Sequence, residues 1–588
     1  MCGIFGYIGK EKALPKVLTG LKFLEYRGYD SAGIAYIKNK TINIIKEEGK
    51  IKNLENLINL EEDTYMSIGH TRWATHGIPN KINSHPHKVG RFTVVHNGII
   101  ENYLDIKKML IKEGVEFESD TDTEVIPALL NYYYNREKDV LGALKNTISQ
   151  LKGSYAIGVI CEDDLDHIYA TRCGSPLIVA KCNKSNFIAS DIPAILPFTN
   201  KYIILDEKEI AKIAVDKIEI FNKNLEVINK KEHIFEGAQE SSMLNGYEHY
   251  MLKEINEEEK VFLDTFNYYV ENNKFKNTMP NFKKYEKIHI VACGSAYYVG
   301  CIGKCLIEKY ANIPVKVEVA SEYRYKNNFY NENTLVIVIS QSGETADSLA
   351  ALRKAKNDGI DTLAIVNIVG STIARDAKYV LYVKAGPEIA VATTKAFLAQ
   401  ATLISLLAVK LSDNLELLKE FKGIDKYIQK VLSGDYKQYA NVIYKHESTF
   451  FIGRLIDYAL CLEGSLKLKE TSYINSVAFQ AGELKHGSIS LITKDMPVIA
   501  ICTDSSIRNK TVNNIKELKA RGAYVIYITN EQITDEFYDM KIILPKVHNI
   551  IMPILTVIPL QLIAYEVAKL RGCDIDKPRN LAKSVTVE

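Results

Sequence analysis

Two textures of apolar and polar positions divide the chain. Up to about residue 235, runs such as 4–8, 154–160 and 203–220 are rich in Ile, Val, Tyr and Phe and are closed by charged, hairpin-like turns. They predict a mixed α/β domain built on antiparallel sheets. From Lys287 the runs become short and β-branched (288–292, 335–339, 362–366 and 379–383) and alternate with helical stretches, which predicts a doubly wound parallel sheet. This second texture repeats. The run 335–339 has a counterpart at 497–501, and each leads through a helix and a glycine (Gly359, Gly522) to a strand ending at Asn367 or Asn530, eight residues beyond the glycine in both. The pattern implies a tandem duplication, with copies at about 286–415 and 446–575. Charged, helical residues from 236 to 266 separate the textures; a linker ends near residue 250, and the helical lead-in belongs to the second texture. The expected partition is 2–235, a connecting segment 236–285, the two copies, and a polar tail 576–588.

The longest apolar stretch, 550–568, is interrupted by Pro553, Pro559, Gln561 and Glu566, which suits a buried segment better than a membrane span. At 588 residues and 47% hydrophobic content the chain can fill several cores. With 74 basic and 72 acidic residues, net +2, it has no charge excess to attract nucleic acid or an anionic membrane. The ten cysteines form no CxxC pair, and the N-terminus lacks the basic-then-apolar order of a leader, so a cytoplasmic protein with reduced thiols is expected. Cys301 and Cys305 share a helix face, but no His or Cys pair lies near enough to complete a zinc set, so no metal is expected.

Cys2 is the first candidate for chemistry, since loss of Met1 makes it the amino terminus and places nucleophile and base in one residue. A thiol of pKa about 8.5 beside an α-amine near 7.7 can pass its proton to that amine. Three further segments supply the parts of an amide-hydrolysing site: 69–77, 95–98 and 119–124. Arg72 offers a bidentate fork to an α-carboxylate, Asp122 can pair with an α-ammonium, and the Asn97 side chain with the Gly98 N–H can hold a tetrahedral oxyanion. Taken singly, Asn-Gly reads as a hairpin turn, an Asp among threonines as a cap, and a lone Trp as core.

The two copies differ after their matched strands. The first has Ser340-Gln341-Ser342-Gly343-Glu344-Thr345 opening a helix; the second has Cys502-Thr503-Asp504-Ser505-Ser506. Hydroxyls and free backbone N–H groups at a helix N-terminus suit a phosphate monoester, which Asp504 would repel. Only the first copy should bind phosphate, assisted by a second strand-to-helix turn at Cys293-Gly294-Ser295.

The runs Cys2-Gly3-Ile4, His70 to Gly77, His96-Asn97-Gly98 and Thr121 to Glu124 together resemble the N-terminal-nucleophile glutamine amidotransferases. With the serine turn, Gly464 to Glu470, Gly482 to Gly487 and the tail from Arg579, essentially the whole chain resembles the glutamine–fructose-6-phosphate aminotransferase (isomerizing) family. The resemblance implies an α/β multidomain fold: an N-terminal-nucleophile α-β-β-α sandwich, then two tandem doubly wound sugar isomerase domains. It implies L-glutamine and D-fructose 6-phosphate as substrates, no cofactor, an ammonia channel gated by Trp73, and a homodimer. In the glutamine site it adds Trp73, Thr75 and His76 to Cys2, Arg72, Asn97, Gly98 and Asp122. At the sugar it implies a phosphate grip by Ser295, Ser340, Gln341, Ser342 and Thr345, with Val391, Thr393 and Glu463 also binding. Glu470 would move the C1/C2 proton, His486 would open the ring, and Lys583 would form an imine with the keto sugar. Glu463, Lys467 and Glu470 lie at i, i+4 and i+7, on one helix face, a spacing that a surface salt-bridge ladder also satisfies. Ala296 and Thr393 stand where the family often carries hydroxyl and serine. A sugar-phosphate sensor needs no ammonia source, and other Cys2 amidotransferases need a diphosphate or ATP loop, of which neither a Walker motif nor an SGGxDS run occurs.

Overall fold

The computed structural model describes residues 2–235, 244–331, 333–532 and 537–586; the start of the expected linker, 236–243, lies outside the described residues. The chain forms two compact units, one of Met1–Ser242 with Ala582–Glu588, the other of Met243–Leu581.

In the first unit an eight-stranded and a seven-stranded sheet, both antiparallel, stack face to face. Strand Gly3–Gly9 shows why the sequence reads as continuously apolar: Ile4 and Ile8 enter the core between the sheets, with Ile68, Val95, Ala156 and Ile160, whereas Phe5 and Tyr7 point to the opposite face. Helix Ala13–Lys22 covers that outer face through Leu14, Val17, Leu18 and Leu21. Helices Val125–Glu137 and Val140–Gln150 cover the outer face of the other sheet through Leu129, Leu130, Leu144 and Ile148. Asp139 caps the latter, accepting from the Leu141 and Gly142 N–H groups. The result is the expected α-β-β-α sandwich, and each fully buried Leu, Ile or Phe in its layers contributes about 1.5–3 kcal/mol.

The second unit holds two five-stranded parallel sheets of identical topology. In chain order of strands, each runs second, first, third, fourth, fifth: Val315–Val319, Lys287–Ala292, Thr334–Ser340, Asp361–Val366, Tyr379–Tyr382 in one, and Asn475–Gln480, Ser448–Gly453, Pro497–Cys502, Tyr524–Thr529, Met540–Ile543 in the other. The repeat read from Gly359 and Gly522 is therefore a repeat of structure. The copies do not keep separate cores. Helices Gly294–Ala311 and Lys395–Ser412 of the first copy and Ile456–Ser472 and Met552–Leu570 of the second share one continuous cluster, which also takes in Met251, Ile255 and Phe262 from the lead-in. Lys395–Ser412 and Met552–Leu570 are long and apolar enough to span a membrane, but 83% of each apolar window is buried inside the fold, as expected for 550–568.

Candidate active site

Register places the residues expected to bind glutamine. Gly3 pairs with Thr71 across antiparallel strands, so Cys2 emerges beside Arg72 and Trp73. The Trp73 N–H points at Cys2 Sγ at 3.4 Å, and Sγ lies 3.5 Å from the Trp73 carbonyl. Burial pushes the Cys2 thiol up, against the pull of the Trp73 N–H and the Arg72 and Arg27 cations. A thiol held protonated needs a base, which suits an adjacent amine. Asn97 and Gly98 sit on strand Phe92–Ile100, opposite Ala156 and Tyr155. Asn97 Nδ2 donates to the Cys2 carbonyl at 3.0 Å. Gly98 has φ of 130°, and a Cβ there would lie 2.0 Å from the Ser154 carbonyl, so no other residue fits this turn of the strand.

Arg72 is 3% exposed and donates to the carbonyls of His76, Gly77 (2.9 Å) and Ile78 (3.4 Å). Its fork shapes the loop carrying Thr75 and His76, and Cys2, Asp30 and Asp122 all act on its charge. Asp122 is buried and accepts from the Ile100 N–H at 2.8 Å. His76 Nδ1 lies 3.5 Å from Thr75 Oγ1. Two residues without an expected role join them: Arg27 donates from Nε to the Cys2 carbonyl at 3.1 Å and pairs with Asp191 at 2.7 Å, and Asp30 accepts from the Ala74 N–H at 2.7 Å. Arg27 lies in a turn between two tyrosines, where nothing in the local pattern marks it.

In the second unit the turn after strand Thr334–Ser340 is closed by its own hydroxyls. Ser340 Oγ lies 3.0 Å from Thr345 Oγ1 and accepts from the Gly343 N–H at 3.1 Å, while Ser342 Oγ accepts from the Glu344 N–H at 3.2 Å. Thr345 is the N-cap of helix Ala346–Asn357, so the positive end of that helix faces the turn. The Gln341 carbonyl accepts from the Asn367 N–H at 3.1 Å.

Ser295, one residue into helix Gly294–Ala311, donates to Glu463 Oε1 at 3.1 Å, a bond between the two copies. Glu463 and Lys467 are 0% and 1% exposed, so their helix face is buried rather than a surface ladder. Lys467 Nζ bridges Glu463 at 3.5 Å and Glu470 at 2.6 Å. Burial lifts Glu463 to about 7, with Lys467 opposing and Glu470 adding to the rise, and the two carboxylates hold the Lys467 ammonium well above its usual range against the burial that disfavours it.

Glu388 is a residue that sequence reasoning missed. It accepts from the Thr394 and Ala396 N–H groups at 3.0 Å each and from Thr393 Oγ1, satisfying the open end of helix Lys395–Ser412. The neighbouring Val391 N–H donates to the Asp576 carbonyl at 3.0 Å. In the second copy Asp504 fills its own turn, accepting from Ser506 N at 3.0 Å and Ser506 Oγ at 2.7 Å and pairing with Lys309 at 3.5 Å. His486 is exposed, and no hydrogen bond or ion pair joins it to Ser295, Glu463, Lys467 or Glu470. Lys583 lies in the tail segment that groups with the first unit.

A glutamine amidotransferase domain family matches residues 70–197, and an SIS domain family matches 281–410 and 442–571. A glutamine–fructose-6-phosphate aminotransferase (isomerizing) of Caldanaerobacter subterraneus subsp. tengcongensis is 48% identical over the whole of both chains, and one of Clostridium tetani 47%. The chain belongs to the glutamine–fructose-6-phosphate aminotransferase family. Among solved structures, the C-terminal domain of a glucosamine-fructose-6-phosphate aminotransferase from Francisella tularensis superposes with a TM-score of 0.54 at 36% identity, covering 57% of this chain and 99% of that one. Each match to the SIS domain family contains one parallel sheet, and the serine-rich turn Ser340–Thr345 lies in the first.

Proposed function

We propose that the chain converts D-fructose 6-phosphate and L-glutamine to D-glucosamine 6-phosphate and L-glutamate, the amino-transfer and isomerisation step of amino sugar synthesis. The observation that carries this reading is the presence in one chain of a Cys2–Asn97–Gly98 cluster and of a serine-rich strand-to-helix turn with a Glu–Lys–Glu helix face whose Glu463 and Lys467 are buried. Cys2, with Met1 removed, attacks the glutamine side-chain carbonyl and gives its thiol proton to its own amine. Asn97 Nδ2 and the Gly98 N–H take the oxyanion, ammonia leaves, and water hydrolyses the thioester to glutamate. Arg72 and Asp122 hold the α-carboxylate and α-ammonium, with Trp73, Thr75 and His76 closing the pocket.

At the sugar, Ser295, Ser340, Gln341, Ser342 and Thr345 grip the phosphate, and Val391, Thr393 and Glu463 line the rest. His486 opens the ring, and Lys583 forms an imine at C2 that ammonia displaces. Glu470 then takes a proton from C1 and returns it at C2, while Lys467, 2.6 Å away, holds the carboxylate in place. The resemblance supports a homodimer in the cytoplasm, and a net charge of +2 supports neither nucleic acid nor a membrane as partner.

The test is incubation with amide-15N glutamine and fructose 6-phosphate. Label in glucosamine 6-phosphate, matched by glutamate, is expected. Cys2→Ala should abolish glutamine hydrolysis and leave fructose 6-phosphate binding intact. Glutamate without amino sugar, or no turnover by the wild type, refutes the reading.

A further inference from the structure

Four of the chain's twelve histidines, His70, His85, His87 and His96, are buried together beneath Asn97. They stack rather than converge: the His70 and His85 rings lie 4.0 Å apart at 12°, and His87 meets His85 edge-on at 4.8 Å. Among the described residues no group of three or more His, Cys, Asp or Glu could hold a metal ion.

Their hydrogen bonds fix where the protons are. His70 Nε2 lies 2.9 Å from the His96 carbonyl and 3.1 Å from Asn97 Oδ1. A carbonyl only accepts, so Nε2 carries the hydrogen. His70 Nδ1 is buried with no hydrogen-bond partner, as a bare ring nitrogen. Burial pulls His70 down to about 3 and lowers the other three, so burial favours the neutral form of each ring. The neighbouring ring is fixed the same way. The His96 N–H donates to His85 Nδ1 at 3.3 Å, leaving the proton on His85 Nε2, which faces Thr123 Oγ1 at 3.4 Å; that hydroxyl lies 2.9 Å from His96 Nδ1.

The Asn97 amide therefore has one satisfied orientation. With Oδ1 on His70 and Nδ2 on the Cys2 carbonyl, both ends are matched. Turned over, two donors would face each other at His70 and two acceptors at Cys2.

We propose that His70 is a positioning residue for glutamine hydrolysis, its Nε2–H holding the Asn97 amide so that Nδ2 faces the reacting carbonyl at Cys2. The proposal rests on the reading of Asn97 as an oxyanion donor. The hydrogen bonds of His70 go to the His96 carbonyl and to Asn97, so it acts on kcat through Asn97 alone.

The experiment compares His70→Gln, His70→Asn, Asn97→Ala and the double variant His70→Asn/Asn97→Ala in glutamine hydrolysis by the full chain. A Gln side chain can place its NH2 near the ring's Nε2, whereas Asn places its amide near Nδ1. His70→Asn should lower kcat about 10–100-fold with KM for glutamine within about two-fold, and His70→Gln should recover most of the loss. The double variant should be no slower than Asn97→Ala, since one effect passes through the other. Equal impairment of the two His70 variants, or losses that multiply in the double variant, overturns the proposal. If Asn97→Ala retains kcat within about two-fold, the oxyanion reading itself has failed. Should the variants not fold, 15N-histidine NMR of the wild type decides: a neutral Nε2–H tautomer at His70 from about pH 5 to 9 supports the proposal, and an Nδ1–H tautomer or imidazolium refutes it.

Discussion

Lys467→Met isolates the charge balance of the sugar site. Lys467 is the cation between Glu463 and Glu470, and removing one partner of a buried ion pair costs about 3–5 kcal/mol. The pH dependence identifies which carboxyl is exposed to that loss. Glu463 is lifted from an ordinary 4.5 to about 7, so its protonated form is the one the fold prefers. Its contribution to stability is full below its unfolded value and is lost as pH rises through about 7. Without Lys467 the lift is larger and the loss continues to higher pH. At pH 6 Glu463 is protonated in both folded proteins and adds little to their difference. At pH 8 it is ionised in the wild type, and the variant falls behind by up to about 1.4 kcal/mol per pH unit above the wild-type value. Calorimetric unfolding of the full chain, following the transition that fructose 6-phosphate raises, should therefore show a deficit about 1 kcal/mol larger at pH 8 than at pH 6. A deficit that is independent of pH, or larger at pH 6, refutes the assignment of Lys467 as the counter-ion of Glu463. Glutamine hydrolysis should continue in this variant while amino sugar formation stops.

The proposed reading sets three other outcomes. Borohydride should trap fructose 6-phosphate on the tail peptide of the wild type but not of Lys583→Arg, as read by peptide mapping. Gly343→Ala should raise KM for fructose 6-phosphate about ten-fold and leave glutamine hydrolysis unchanged, because Gly343 has φ of 65° and a Cβ would sit 2.0 Å from Ser371 Oγ. Trp73, the one tryptophan, has its backbone N–H on Cys2 Sγ, which keeps the residue beside the thiol, so a glutamine analogue at Cys2 should shift the intrinsic emission; constant emission at saturation would count against the placement of the analogue.

Much of the fold is local pattern and could be read as such. The apolar run within Gly3–Gly9 and the β-branched runs of the second unit rest on residues close in sequence, and the Gly359/Gly522 correspondence rests on one short spacing that occurs twice. Edge strands such as Val315–Val319, where lysine and glutamate alternate with valine, escaped because a half-exposed strand carries too little apolar signal. Spacing placed Glu463, Lys467 and Glu470 on one face but could not tell a buried face from a wet one, since burial comes from helices far along the chain. The Ser295–Glu463 bond spans 168 residues and was invisible. Arg27 and Glu388 act on backbone groups, which have no letter in the sequence.

The self-filled turn of the second copy decides how many ligands the chain can count. Both sheets end in a strand-to-helix turn, and a duplicated fold offers two equivalent seats. Asp504, fastened to Ser506 and Lys309, is a tethered anion in one of them. A covalently attached competitor is present at a local concentration that free phosphate ester cannot match. With the phosphate site proposed for the first copy, the chain is univalent for sugar phosphate despite its internal symmetry. On that proposal a sigmoidal response to the substrate would arise between chains rather than between its own two halves.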